Sequence, residues 1–221
     1  LLTHVSDVMR GGAISEVVES NHPGFGVGEL VNGTTGWTEY HRSNGSGLVK
    51  IETTLPPTAM LSVLGTTGLT AYCGLMKIGK PIAGDTVLVS GAAGATGSVE
   101  EAGYDAAIDY KAGDVSAQIA QHCPGGVDVI FDNVGGPVLD AMLARIATGA
   151  RVVVCGGISR YETGNLPAGP QNYFNLIFRR ASMAGFIVID WAAEFPAIRK
   201  RLEGFVQDGR LRYREDIQHG F

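Results

Sequence analysis

Clustered cysteine is lacking. Only Cys73, Cys123 and Cys155 occur in 221 residues, and an odd number at wide spacing excludes a disulfide framework and fits the reducing cytoplasm. Grouped zinc ligands are lacking too. A catalytic zinc needs cysteine, histidine or carboxylate ligands converging on one point, and a structural zinc needs clustered ligands, often four cysteines. His4, His22, His41, His122 and His219 form no H-x-x-x-H pair. Each reads as an ordinary surface or loop histidine, and a metal site is disfavoured. Runs of lysine or arginine are absent and the net charge is −5, so no nucleic-acid partner is indicated. No apolar run is long enough to span a bilayer. Leu1-Leu2-Thr3-His4 has neither the charged region nor the cleavage site of a secretory signal, so no leader and no membrane anchor are expected.

What the chain does have is glycine, 32 residues of it, about twice the usual share and without the G-X-Y period of collagen. At 45% hydrophobic and 18% charged, the composition is globular and long enough for one large domain or two small ones. The glycines matter most in Val87 to Gly97, Val-Leu-Val-Ser-Gly-Ala-Ala-Gly-Ala-Thr-Gly. Val87 to Val89 reads as a strand buried on both faces, entered through the turn Gly84-Asp85. Gly91, Gly94 and Gly97 follow at intervals of three. At a strand-to-helix junction such glycines let the backbone turn tightly and approach a pyrophosphate. The helix N-terminus then offers free N–H groups and a positive dipole end. The spacing is a variant of the dinucleotide fingerprint. A tight βα turn without ligand is the plainer alternative, and the strand context favours binding.

Before this turn the chain reads as short strands with glycine turns: Gly12 to Val18, Val27 to Asn32, Trp37 to His41 and Val49 to Ile51. They suggest part of a small antiparallel barrel. Pro56-Pro57 marks a boundary, followed by short helices at Ala59 to Leu64 and Gly68 to Met76. After the turn, strands and helices alternate. Strands are expected at Ala106 to Tyr110, Val127 to Phe131, Arg151 to Cys155 and Gly185 to Ile189. Helices are expected from the Asp114 cap to His122, along the stripe Val138 to Ile146, over Tyr173 to Arg180, and from Phe195 to Val206 before Gly209. This alternation implies a parallel sheet with helices on both faces, an α/β fold.

One place breaks the rhythm. Only Ser98 and Val99 separate Gly97 from Glu100-Glu101-Ala102-Gly103, which reads as the end of a different helix. A parallel crossover needs a dozen or more residues. In the strand order 3-2-1-4-5-6 the second strand separates the first from the third, so Ala106 to Tyr110 would have no neighbour. Residues are expected to be missing between Val99 and Glu100.

Several strings together carry a specific resemblance. They are Val8-Met9-Arg10-Gly11-Gly12, Gly36-Trp37-Thr38-Glu39-Tyr40, the run Leu64 to Tyr72 (L-G-T-T-G-L-T-A-Y), Ala92 to Val99, Phe131 to Gly136 (F-D-N-V-G-G) and Gly185-Phe186-Ile187-Val188. In this order, over nearly the whole chain, they resemble the zinc-independent medium-chain dehydrogenase/reductases. Within these, they are most similar to the prostaglandin reductase, leukotriene hydroxydehydrogenase and curcumin reductase group. The resemblance implies a Rossmann-like doubly wound parallel sheet at 59–210. Part of a chaperonin-10-like catalytic barrel would occupy 1–58, and the start of a return to it 211–221.

The resemblance also implies NADPH as cofactor. By position, Gly94, Ala95, Thr96 and Gly97 match the pyrophosphate turn. Tyr110 matches a tyrosine near the adenosine phosphate, and Asn133 an asparagine near the ribose and nicotinamide. Cys155, Gly156, Gly157, Ile158, Ser159, Arg160 and Tyr161 match the loop along the nicotinamide half. Phe186, Ile187 and Val188 match the strand whose backbone meets the carboxamide, and Thr70 faces the nicotinamide. The implied reaction is hydride transfer from NADPH to the carbon–carbon double bond of an α,β-unsaturated aldehyde or ketone. Charge developing on the carbonyl oxygen needs a hydrogen-bond donor, and the α-carbon needs a proton. Tyr161 is the candidate catalytic residue, with packing on the cofactor as its plainer role; Tyr72 and Tyr40 are weaker candidates. Trp37 and Tyr40 suit either an apolar pocket or the barrel core. Some members of the group carry a tyrosine where this chain has Phe178, which cannot donate. A quinone reductase and a cofactor-binding protein with little catalysis are the alternatives. A homodimer through the edge strand near 186–189 is expected, since an apolar edge invites pairing with its own copy.

Overall fold

The computed structural model describes residues 7–94, 104–160 and 169–220. Two sheets form from separate parts of the chain. In the first part, β1 (Ala13–Glu16), β2 (Leu30–Gly33) and β3 (Val49–Lys50) make an antiparallel sheet in sequence order. Val31 alone of its strand is buried. Trp37 to His41 is not a strand. Trp37 is 64% and Tyr40 80% exposed, so the core role expected for them is not realised. Three short strands offer no opposing layer that could cover rings of that size.

The second sheet is parallel. It contains β4 (Val87–Val89), β5 (Val127–Asp132), β6 (Ile146–Val154) and β7 (Ser182–Gly185), in that spatial order. Val129, Ile130, Phe131, Val152 and Val153 are all at or below 2% exposed, as strands covered on both faces require. Burying each such side chain contributes about 1.5–3 kcal/mol. On one face α2 (Val115–His122) and α3 (Gly136–Leu143) bring Ile119, Leu139, Met142 and Leu143 onto Ile130 and Val152. Asp114 caps α2 as expected, its carboxylate accepting from the Ala117 N–H at 3.2 Å, a contact worth about 1 kcal/mol.

On the other face lie α1 (Thr66–Cys73), the wider π turn Gly74–Gly79 that continues it, and α5 (Phe195–Gln207). Leu69 and Cys73 pack with Ile198 and Leu202. Glycine makes the close approach possible here. A Cβ on Gly74 would lie 2.5 Å from Phe131 Cε2, and one on Gly79 would meet Val129 and Val153 at 3.1 and 3.3 Å. Helices on both faces of a parallel sheet give the doubly wound α/β architecture.

Four further sequence expectations are corrected. Ala106 to Tyr110 forms no strand. Ile108 still tucks against the core, yet β4 is the outermost described strand on that side, and no described strand pairs with this segment. The last strand is not Gly185 to Ile189 but Ser182–Gly185, because its partner β6 ends at Val154, opposite Gly185. Beyond it Val188–Glu194 winds into a 3-10 turn. Ile146, placed by its spacing on the stripe of α3, instead opens β6. The helix expected over Tyr173 to Arg180 is a 3-10 turn, Gln171–Phe174, running into the single turn α4 (Asn175–Phe178).

Candidate functional site

In a parallel sheet all carboxyl ends lie on one edge, and ligands bind where crossovers leave in opposite directions. The ends of β4, β5 and β6 bring three glycine-containing loops together there. From β4 comes Ser90 to Gly94. Gly91 has φ = +63°, and its N-terminal side is held by the Ser90 N–H donating to Phe131 O at 3.0 Å. The Gly94 N–H closes the turn on Gly91 O at 2.9 Å. A Cβ on Gly91 would meet Val134 Cγ2 at 3.3 Å and Asn133 Cβ at 3.6 Å. The first loop therefore lies directly against the second.

The second loop, Asn133 to Gly136, follows β5. Gly135 and Gly136 have φ of +70° and +56°, conformations that favour glycine. The Asn133 amide donates to Ser90 O at 2.8 Å. The third loop, Cys155 to Arg160, follows β6 and includes the 3-10 turn Ile158–Arg160. Its Ile158 and Ser159 N–H groups donate to Asn133 O and Val134 O at 3.2 and 3.1 Å. The Ser159 hydroxyl donates to Val134 O at 2.6 Å.

One buried carboxylate joins these loops. Asp132 is 0% exposed. Its Oδ1 accepts from the Ser90 hydroxyl at 2.6 Å and from the Val134 and Gly135 N–H groups at 3.1 Å each. Its Oδ2 accepts from the Gly135 N–H at 3.0 Å. Cys155 beside it keeps its thiol: burial pushes its pKa up, and the Asp132 charge adds to this. Both effects lower the thiolate fraction and with it the reactivity of Cys155.

The expected site residues divide as follows. Gly94, Asn133, Cys155, Gly156, Gly157, Ile158 and Ser159 come together at the carboxyl edge. The Arg160 backbone follows in the same 3-10 turn. Phe186, Ile187 and Val188 lie just past the end of β7 on that edge. The Phe186 ring packs 5.8 Å from Trp191 and against the α1 side of the sheet, while Ile187 is exposed. Thr70 sits half-buried in α1, one turn before the Gly74 that touches Phe131 and Phe186. Tyr110 does not join them. It is 60% exposed, with Lys111 Nζ 5.7 Å from its ring centroid, in the unpaired stretch. Ala95, Thr96, Gly97 and Tyr161 lie outside the described residues, as does the expected break between Val99 and Glu100. Tyr72 lies in α1, its hydroxyl accepting from Arg201 at 2.7 Å. Phe178 is 70% exposed at the end of α4. In the sequence, Ser90 and Asp132 stand out only as members of the glycine-turn and F-D-N-V-G-G strings. Ser90 is small and ordinary in sequence, and only its burial beside a carboxylate marks it.

Comparison with known proteins places this arrangement. A zinc-binding dehydrogenase family model matches residues 74–204, and a model of the N-terminal domain of oxidoreductases matches residues 3–51. Among the described residues no group of three or more His, Cys, Asp or Glu is placed to hold a metal ion. The chain is 35% identical to the NADPH-dependent curcumin reductase of Escherichia coli, covering 98% of this chain and 72% of that protein. It is 34% identical to the NADP(+)-dependent 2-alkenal reductase of Nicotiana tabacum, covering 96% and 70%. The crystal structure of CurA in complex with NADPH from Vibrio vulnificus superposes with a TM-score of 0.86 at 35% identity, over 96% of this chain and 73% of that one. The chain belongs to the medium-chain dehydrogenase/reductase family, in the zinc-independent branch that holds the curcumin and 2-alkenal reductases.

Proposed function

We propose that the chain is an NADPH-dependent reductase of carbon–carbon double bonds conjugated to an aldehyde or ketone. The convergence of Gly91–Gly94, Asn133–Gly136 and Cys155–Ser159 on the carboxyl edge of the sheet carries this reading. The fit is one of shape and donors. Gly91 keeps the space beside Asn133 free of a Cβ, and turn backbone can approach a pyrophosphate there. Gly94 to Gly97 would hold the pyrophosphate and Asn133 the ribose on the nicotinamide side. Cys155 to Tyr161, Thr70 and Phe186 to Val188 would line the nicotinamide half. The hydride for the β-carbon comes from the reduced nicotinamide. The protein would orient the enone, keep water out and donate a hydrogen bond to the carbonyl oxygen, a role we give to Tyr161, and a proton from a side chain or water would complete the saturated product at the α-carbon.

The alignments with the Escherichia coli and tobacco relatives run over 248 and 241 positions, more than the 221 residues here. This supports a shortened segment in the chain, in line with a break between Val99 and Glu100. Residues 1–58 would then be catalytic-domain sequence, 59–210 the dinucleotide-binding domain and 211–221 the return between them. A second copy would pair near 186–189, at the edge formed by β7, where Met183 is exposed, and by the segment just past it, where Ile187 and Ile189 are exposed. Among the described residues no helix is long and apolar enough to cross a membrane. All three cysteines are free, which supports a reducing compartment such as the cytoplasm.

The test is NADPH consumption by the full chain with small enones, enals and quinones. Turnover of enones and enals with a saturated carbonyl product supports the reading. Turnover of quinones alone replaces it with a quinone reductase, and tight NADPH binding without any turnover replaces it with a cofactor-binding protein.

A further inference from the structure

We infer that Ser90 and Asp132 are positioning residues, a clasp that holds the glycine turn and the Asn133 loop in one fixed relation; this rests on the dinucleotide reading above. The Ser90 hydroxyl stands between the two loops. It donates to Asp132 Oδ1 at 2.6 Å and accepts from the Asn133 N–H at 2.9 Å. Asp132 extends the clasp. Its carboxylate takes the Val134 and Gly135 N–H groups, and its backbone oxygen takes the Cys155 and Gly156 N–H groups at 2.8 and 3.1 Å. A fully buried carboxylate is costly unless donors surround it, and here its donors come from the first two loops while the backbone oxygen of the same residue holds the third. Losing one donor therefore disturbs the others, because Asp132 must find a new arrangement or stay under-satisfied.

The consequence concerns binding more than stability. The turn and the Asn133 loop face different parts of a dinucleotide. Holding them in register lets both engage at once, without an ordering cost at the moment of binding. Two bonds join Asn133 to Ser90: its side-chain amide reaches Ser90 O, and its backbone N–H reaches Ser90 Oγ, so the hydroxyl fixes the backbone from which the Asn133 side chain projects. Ser90 should accordingly act through Asn133, and the two should not behave as independent contributors.

The experiment titrates the full chain with NADPH, with thermal unfolding followed on the same samples. Ser90→Ala is expected to raise the Kd about tenfold. In a background already carrying Asn133→Ala, the same change is expected to raise it less than threefold. Ser90→Thr keeps the hydroxyl and is expected to stay within threefold of the unaltered chain. Asp132→Asn keeps the shape but sets an amide against the Gly135 N–H, and its Kd is expected to rise about tenfold. It supplies the answer if Ser90→Ala does not fold. Equal tenfold effects of Ser90→Ala with and without Asn133 overturn the clasp. So does a lowered melting temperature with unchanged Kd in Ser90→Ala and Asp132→Asn. Failure of the unaltered chain to bind NADPH refutes the dinucleotide reading first, and the clasp with it.

Discussion

Gly91→Ala should separate a ligand-bearing turn from a merely tight one. Gly91 has φ = +63°, where a residue with a Cβ is penalised by about 1–2 kcal/mol. The added methyl would also press on Val134 Cγ2 at 3.3 Å and Asn133 Cβ at 3.6 Å. The turn then relaxes toward a conformation that no longer lies along the second loop. Recovering the original shape on binding is expected to weaken NADPH by about five- to thirty-fold, the factor that 1–2 kcal/mol represents. Gly84→Ala is the control. Gly84 has φ = +93°, and no atom lies within 4 Å of its added Cβ. It precedes β4 at the opposite edge of the sheet, so the same kind of backbone strain falls away from the site. Both variants should lose stability in urea unfolding, and only Gly91→Ala should change the Kd, with Gly84→Ala within about twofold. Gly91→Ala binding as tightly as the unaltered chain, or Gly84→Ala weakening NADPH to the same degree, refutes the reasoning.

Three further outcomes follow from the same geometry. The Glu203 carboxyl is held below its ordinary value, first by the Thr53 hydroxyl and then by the Thr54 N–H. Its stabilisation is complete above the unfolded value of about 4.5 and is lost as pH falls through the lower folded value. Glu203→Gln should therefore show a shallower loss of melting temperature than the unaltered chain between about pH 6 and about pH 3, and parallel curves would contradict this. Cys155, its thiol pushed up by burial, should react slowly with a maleimide at neutral pH and more slowly still with saturating NADPH. Protection by NADPH that is absent at Cys155 and present at Cys123 would move the binding site elsewhere. Met183→Glu should convert a dimer to a monomer in sedimentation; if the unaltered chain is already a monomer, pairing along β7 is wrong.

The strands Val87–Val89 and Val127–Asp132 were legible from their apolar runs, a local property written in consecutive residues. The burial on both faces expected of Val87–Val89 is not met: at the outermost described strand Val87 is exposed and Leu88 and Val89 are half-buried, whereas β5 is buried almost throughout. The α2 cap was legible because Asp114 and Ala117 lie one turn apart. Ala106 to Tyr110 was misread because its apolar pattern says nothing of whether a neighbouring strand exists to receive its hydrogen bonds. The last strand was misplaced because its end is set by where β6 stops, far away in sequence. At the site, the described glycines and the F-D-N-V-G-G string lie at the carboxyl edge of the sheet. The bond that ties them together, from Ser90 to Asp132 at 2.6 Å, spans residues remote in sequence and left no local pattern.

The most direct test of the central claim is the fate of the hydride. The full chain is incubated with NADPH deuterated at the transferring position and a small α,β-unsaturated ketone, and the product is examined by mass spectrometry and proton NMR. The account predicts a saturated ketone with deuterium on the β-carbon. An allylic alcohol with deuterium on the former carbonyl carbon, or unchanged enone beside bound NADPH, would contradict it.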